Sequence, residues 1–215
     1  MFKFHLVYEI KGKATDKPYK KSRLVIQGDN DTEKTALLTP TPTIQQYSQR
    51  LFFSISPLLR KRRMKIILQD ITQAYTQSKT ELNRIIICHL PIKLKKRYPE
   101  GIILFVVKPL YGLAKAGNHW FATYLDHHKE KLGMEMSPYD ACLLITKDGV
   151  ENFGIVGLQA DDTLNIGTEA FMKKEEIEIM EAKFKAKTQI ILETGASGDF
   201  NGCCMTIEAE FIMVV

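Results

Sequence analysis

Residues 153–167 read Phe153-Gly154-Ile155-Val156-Gly157-Leu158-Gln159-Ala160-Asp161-Asp162-Thr163-Leu164-Asn165-Ile166-Gly167. Two short apolar runs flank a pair of adjacent carboxylates, which predicts a β-hairpin with Asp161 and Asp162 in its turn. Far upstream, Met64-Lys65-Ile66-Ile67-Leu68-Gln69 is another strand-like run, and Asp70 closes it. Adjacent acids in a turn are common simply because Asp favours turn conformations and solvent. If the distant segments fold together, however, three carboxylates share one place. Such a cluster can hold two Mg²⁺ ions while substrate phosphates complete the coordination, the arrangement that nucleotidyl transfer needs.

Working outward, the rest of the chain alternates strands and helices. Phe2 to Ile10 and Tyr19 to Gln27 predict a hairpin around a Gly12 to Pro18 turn. Thr43 is a candidate cap for a helix that places Ile44, Tyr47, Leu51, Ile55 and Leu58 on one face, with Pro57 expected to kink or end it. Ile85 to Cys88 and Ile102 to Val107 read as further strands. A helix capped by Asn118 carries Phe121, Tyr124, Leu125, His128 and Leu132 in a stripe and stops at Gly133. On that helix His127 and His128 read as one surface and one half-buried residue rather than as catalytic groups. Cys142 to Thr146 and Phe153 to Leu158 predict a hairpin around Lys147-Asp148-Gly149, followed by an acidic helix from Glu169 to Lys187 and a short Ile190 to Leu192 strand. Gly195 to Asp199 reads as a loop and Met205 to Val215 as one last strand, although Asp199 to Val215 carries little pattern.

Composition narrows the function classes. A chain of 215 residues with 45% hydrophobic content can bury the core of one sizeable domain with a smaller subdomain on it. No apolar run approaches bilayer length, and Met1-Phe2-Lys3-Phe4-His5 lacks the apolar core of a signal peptide, so the expectation is a soluble intracellular protein without a membrane partner. Cys88, Cys142, Cys203 and Cys204 lack the paired spacing of a zinc site and read as reduced thiols. Charge is uneven: residues 1–100 hold 20 Lys and Arg against 8 Asp and Glu, residues 101–215 only 10 against 17. The basic runs Arg60-Lys61-Arg62-Arg63-Met64-Lys65 and Lys93-Leu94-Lys95-Lys96-Arg97 suit a nucleic-acid backbone, or equally a solvated helix end and a charged loop.

Five segments in order carry a family resemblance. Tyr19-Lys20-Lys21-Ser22-Arg23-Leu24-Val25-Ile26-Gln27-Gly28 resembles Y-K-A-R-L-V-x-x-G, and Asp70-Ile71-Thr72-Gln73-Ala74-Tyr75 resembles D-V-K-T-A-F. Leu110-Tyr111-Gly112-Leu113 through Trp120 is similar to L-Y-G-L-K-Q-A-P-R-x-W, and Ser137-Pro138-Tyr139-Asp140-Ala141-Cys142-Leu143 to S-x-x-D-x-C-L-F. Leu158 to Gly167 stands where the pattern has L-Y-V-D-D-x-L-I-x-G. These blocks resemble the reverse transcriptase of copia-type LTR retrotransposons.

The resemblance implies an α+β fold, with reverse-transcriptase fingers mainly in residues 1–63 and about 84–110, and a palm mainly in 64–83 and 111–215 whose antiparallel sheet packs on helices. It implies an RNA-directed DNA polymerase that joins dNTPs to a primer 3′-hydroxyl with two Mg²⁺ ions, Mn²⁺ being a substitute. Asp70, Asp161 and Asp162 would be catalytic and metal-binding, with the Ile71 carbonyl a further ligand. Lys21 and Arg23, which strand alternation puts on one face, would meet the triphosphate. Tyr75 would lie under the nucleotide sugar, Gly112 would admit the incoming base pair, and Lys115 stands where a glutamine approaches the nucleotide. The implied partners are an RNA or DNA template with primer, dNTP, and the thumb, RNase H and integrase domains of the polyprotein; the implied location is cytoplasmic, in a virus-like particle, or nuclear. Gln159-Ala160 replaces the family's Tyr-Val and Gly117 its proline. These departures keep open a decayed remnant that only binds nucleic acid.

Overall fold

The computed structural model describes residues 1–12, 17–28, 41–147, 151–209 and 211–214. In chain order its elements are β1 (Phe2–Lys11), β2 (Tyr19–Ile26), α1 (Gln46–Lys61), β3 (Lys65–Asp70), a 3-10 turn (Ala74–Gln77), β4 (Ile86–His89), α2 (Ile92–Lys95), β5 (Ile103–Val106) and α3 (Ala116–Leu132). There follow β6 (Met134–Ser137), β7 (Asp140–Thr146), β8 (Gly154–Gln159), β9 (Asp162–Gly167), α4 (Glu169–Glu181), β10 (Ile190–Ile191), β11 (Ser197–Phe200), β12 (Cys203–Ile207) and β13 (Ile212–Val214). This is a mixed α and β architecture, mostly sheet with four α-helices among the described residues. It divides into two compact units, Met1–Pro40 with Tyr75–Trp120 and Thr41–Ala74 with Phe121–Val215.

The first unit is built on a four-stranded sheet of order β2-β1-β4-β5. β1 and β2 pair antiparallel from Phe4↔Ile26 to Lys11↔Tyr19, as their alternation predicts; the turn residues 13–16 lie outside the described residues. β1 runs parallel to β4 at Phe2↔Cys88, and β4 antiparallel to β5. One face of this sheet buries Phe4, Ile26, Ile86, Cys88 and Val106 against Leu113 and Ala116. Burial is confined to the near half of the hairpin: Tyr8 and Ile10 are exposed.

The second unit holds a six-stranded antiparallel sheet of order β10-β3-β9-β8-β7-β6. Its middle strands read as continuous buried runs because both faces are covered. On one face Gly157 lies against Ile44 and Phe200; elsewhere the Phe171 ring of α4 lies over the paired Gly154 and Gly167. A Cβ on Gly154 would stand 2.5 Å from that ring, so the sequence leaves a floor for a fully buried phenylalanine, worth about 1.5–3 kcal/mol. Thr168 caps α4 by accepting from the Phe171 N–H at 3.3 Å.

Several expectations are corrected. α1 begins at Gln46 rather than from a Thr43 cap, and Thr43 instead bridges Gln159. Its buried face is Ser48, Gln49, Phe52, Ser56 and Leu59, while Tyr47, Leu51 and Leu58 are exposed. Polar side chains can occupy that face because the fold satisfies them: Gln49 donates to the Phe200 carbonyl at 3.4 Å and accepts from Asn201 at 2.9 Å, and Ser56 donates to the Phe52 carbonyl at 2.6 Å. Pro57 does not end the helix, which runs on to Lys61. α3 starts before Asn118, so Asn118 is not its cap, and both His127 and His128 are buried. α4 stops at Glu181, short of Lys187, and Lys183 turns the chain with φ 60. From Ser197 on, the described residues form neither loop nor single strand but an antiparallel sheet β11-β12-β13, whose first hairpin turns at Asn201-Gly202 with φ 48 and 77. The turn residues Asp148 and Gly149 lie outside the described residues.

Candidate active site

Backbone pairing brings the predicted acids of the second unit together. β8 and β9 form the hairpin with a tighter turn than expected: Gln159 faces Asp162 across Ala160 and Asp161, so Asp162 opens β9 instead of lying in the turn, and Ala160 takes φ 50. β9 then pairs with β3 in a register that sets Asp162 directly opposite Asp70. Directly opposite residues of an antiparallel pair project to one face, with Cα atoms about 4.5–5.5 Å apart. Just past Asp70, the Ile71 N–H donates to the Asp161 carbonyl at 2.9 Å, fixing the turn against the end of β3.

The charges there are in conflict. The Asp162 carboxyl is pushed up to about 6, first by burial and then by the neighbouring charges of Asp161 and Asp70, with Lys187 partly offsetting them. Lys187 forms an ion pair with Asp70. Its place is secured by the backbone: its N–H donates to the Asp70 carbonyl at 2.9 Å, its carbonyl accepts from Gln69 Nε2 at 2.7 Å, and the Thr72 N–H donates to the Lys185 carbonyl at 2.7 Å. Among the described residues, no three His, Cys, Asp or Glu side chains converge closely enough to hold a metal ion. The pairing sets Asp162 opposite Asp70, next to Asp161 in the turn, and the Lys187 ammonium pairs with Asp70.

Sequence reading missed Lys187 by assigning it to the end of an acidic helix. A sequence signal existed in Lys183-Phe184-Lys185-Ala186-Lys187, which alternates as an extended segment does.

The remaining predicted residues, apart from Ile71, lie in the first unit. Lys21 and Arg23 share a face of β2, and both meet Glu9: Lys21 is its register partner, and Arg23 Nη2 stands 3.7 Å from its carboxylate. The Lys11 hydrogen bond and then the charges of Lys11, Arg23 and Lys21 hold Glu9 below the usual carboxylate range. The Arg23 guanidinium also lies 5.8 Å from the Tyr111 ring centre, and Tyr111 in turn packs on Tyr75 at 4.6 Å. Arg23, Tyr111 and Tyr75 therefore form one row, of which the sequence reading had singled out only the ends. Gly112 follows with φ 92, and a Cβ there would lie 1.9 Å from the Ile26 carbonyl oxygen. Only glycine lets this loop pass so close to β2, where the Ile26 N–H donates to Tyr111 at 2.8 Å. Lys115 lines a separate recess of about 240 Å³ with Leu82, Arg84 and His119. Burial first, and then the charge of Lys115, holds the His119 imidazole below its ordinary value.

A search of curated proteins finds no match to the chain. A family model described as reverse transcriptase (RNA-dependent DNA polymerase) matches residues 2–210, spanning both units and all five sequence blocks. The chain therefore belongs to the reverse transcriptase family of nucleotidyltransferases.

Proposed function

We propose that this chain is the fingers-and-palm region of a copia-type retrotransposon reverse transcriptase, performing template-directed addition of dNTPs to a primer 3′-hydroxyl. The observation that carries this reading is the register of β3 on β9, which sets Asp70 opposite Asp162 with Asp161 in the adjoining turn. The second unit, with its antiparallel sheet, takes the palm role. The first unit, with Lys21 and Arg23 on its hairpin, takes that of the fingers, which moves α1 from fingers to palm.

The three acids suit divalent cations by charge: burial first, and then the charges of Asp161 and Asp70, raise the Asp162 carboxyl to about 6, and a bound cation would favour its ionised form. Asp70, Asp161 and Asp162 would hold two Mg²⁺ or Mn²⁺ ions. Such ions lower the pKa of an attacking hydroxyl and neutralise phosphate charge. Lys187 would yield Asp70 when cation binds. Arg23 and Lys21 would turn from Glu9 to the triphosphate, a planar guanidinium reaching two phosphate oxygens at once. Tyr75, backed by Tyr111, would present a ring edge to the sugar. Gly112 would keep the backbone low beneath the incoming base pair. No protein nucleophile is required, because the primer hydroxyl attacks.

Primer extension on an RNA template with Mg²⁺ or Mn²⁺ tests this reading. Incorporation that Asp161→Asn reduces by at least about 10²-fold supports it. Nucleic-acid binding without incorporation by the wild-type chain would instead establish a decayed remnant.

A further inference from the structure

The carboxylates lie at one end of β3; a second charged recess lies at the other. Where the strand begins at Lys65, roughly 16 Å along it from Asp70 at about 3.3 Å per residue, a cavity of about 510 Å³ opens against the last turn of α1. Its wall carries Arg60, Lys61, Arg63 and Lys65, against one acid among the described residues, Glu193. The Arg60 guanidinium is fixed by the Glu208 carbonyl at 2.8 Å and the Thr194 hydroxyl at 2.9 Å. Both acceptors are neutral, so the side chain is positioned without losing its charge. Among the described residues, Lys65 pairs with the exposed Glu169 at 3.5 Å, the kind of surface pair that contributes little.

Arg63 supplies an independent sign. The end of α1 closes with the Arg63 N–H donating to the Arg60 carbonyl at 2.8 Å and the Met64 N–H to the Leu59 carbonyl at 3.1 Å. This is the double bond of a Schellman ending, whose left-handed residue is usually glycine. Here it is an arginine at φ 64. A left-handed conformation strains a side-chain-bearing residue, and strain retained where glycine would relieve it points to use of the side chain.

We infer that this recess binds the sugar–phosphate backbone of a nucleic-acid strand, at a place distinct from the Asp70–Asp162 pair. The inference rests on the reading above that the chain handles template and primer. Recognition would be by charge and independent of sequence, Arg63 and Lys61 each neutralising a phosphate while Arg60 forms the fixed floor.

The test is fluorescence anisotropy of a labelled RNA–DNA primer–template with the full chain, over a series of salt concentrations. Arg63→Gly should melt no lower than wild type, because glycine suits that backbone. It should nevertheless bind about 3- to 10-fold more weakly at low salt, with the log–log salt slope shallower by about 1; Arg63→Gly with Lys61→Gln should flatten it by about 2. Asp161→Asn should keep the wild-type slope. Arg63→Gly and the double variant with wild-type affinity and slope would overturn the recess, and Asp161-dependent primer extension in the same preparation would show that the polymerase reading survives it. A wild-type chain that fails to bind the duplex would overturn both.

Discussion

Asp162 opens β9, and three residues further on Asn165 reaches the carboxylate of Glu175 on α4; the fold treats these two acids in opposite ways. Glu175 is fully buried, yet both its carboxyl oxygens are met, since the Asn165 amide donates to each at 2.8 Å. Asp162 is only partly buried, yet its charge is opposed by two neighbouring carboxylates. Burial depth therefore does not tell which acid has spare binding capacity. What distinguishes them is what faces the carboxyl: an amide donor at Glu175, two further carboxylates at Asp162. Glu175 ties α4 to β9 through the Asn165 amide, whereas Asp162 faces the charges of Asp161 and Asp70 with Lys187 offsetting them only in part.

Removing Glu175 should produce the largest effect on stability. Glu175→Leu leaves the Asn165 amide buried without its acceptor, and a loss of about 1–3 kcal/mol is expected in urea melts. A loss below about 1 kcal/mol would show that the network is incidental and would dissolve the contrast.

Asp162→Asn should act in the opposite direction. A carboxyl raised from 3.8 to about 6 in the folded protein favours folding while protonated, and that contribution is lost as pH rises through about 6. Metal-free wild-type protein should therefore weaken between pH about 4 and about 6. Asp162→Asn should be more stable than wild type at pH 7, by about 1–2 kcal/mol once solvent screening is allowed for, and should match it below pH about 4. Thermal melts across that range, in chelator, read both the sign and the window.

Lys187→Gln should give the smallest change. Loss of a partly exposed ion pair is expected to cost no more than about 1 kcal/mol in chelator. The Asp162 titration should move further up, because the ammonium that partly offsets the neighbouring carboxylates is gone. Excess Mg²⁺ should narrow the difference between variant and wild type, and a difference that widens instead would show that the lysine and the ions do not compete for Asp70.

The carboxylate end was legible in the sequence because two local signals coincide there. Apolar runs of strand length bracket Asp161 and Asp162, and a third ends at Asp70, so pairing by hydrophobic pattern alone aligns the acids. Lys187 was not legible, since its contact with Asp70 joins segments far apart in the chain and α4 had to end before it could form. The face of α1 was misread for a different reason. Gln49 and Ser56 look solvent-facing until the Phe200 carbonyl and Asn201 are in place to receive Gln49, and the partner is again remote in sequence. The hairpin of β11 and β12 did carry a local signal, Asn201-Gly202, whose two positive φ angles are those that this residue pair favours in two-residue turns. Its flanking strands are short: β11 is polar apart from Phe200, and β12 offers only Met205 and Ile207 as buried alternating positions, too few for periodicity to support the hairpin.

The most direct test is a carboxyl-carbon NMR titration of Asp162, run first in chelator and then with saturating Mg²⁺. A shared cation site requires a midpoint near 6 without the ion, falling well below that when Mg²⁺ binds. A midpoint at the ordinary aspartate value in chelator, or one near 6 that Mg²⁺ leaves unmoved, would contradict it.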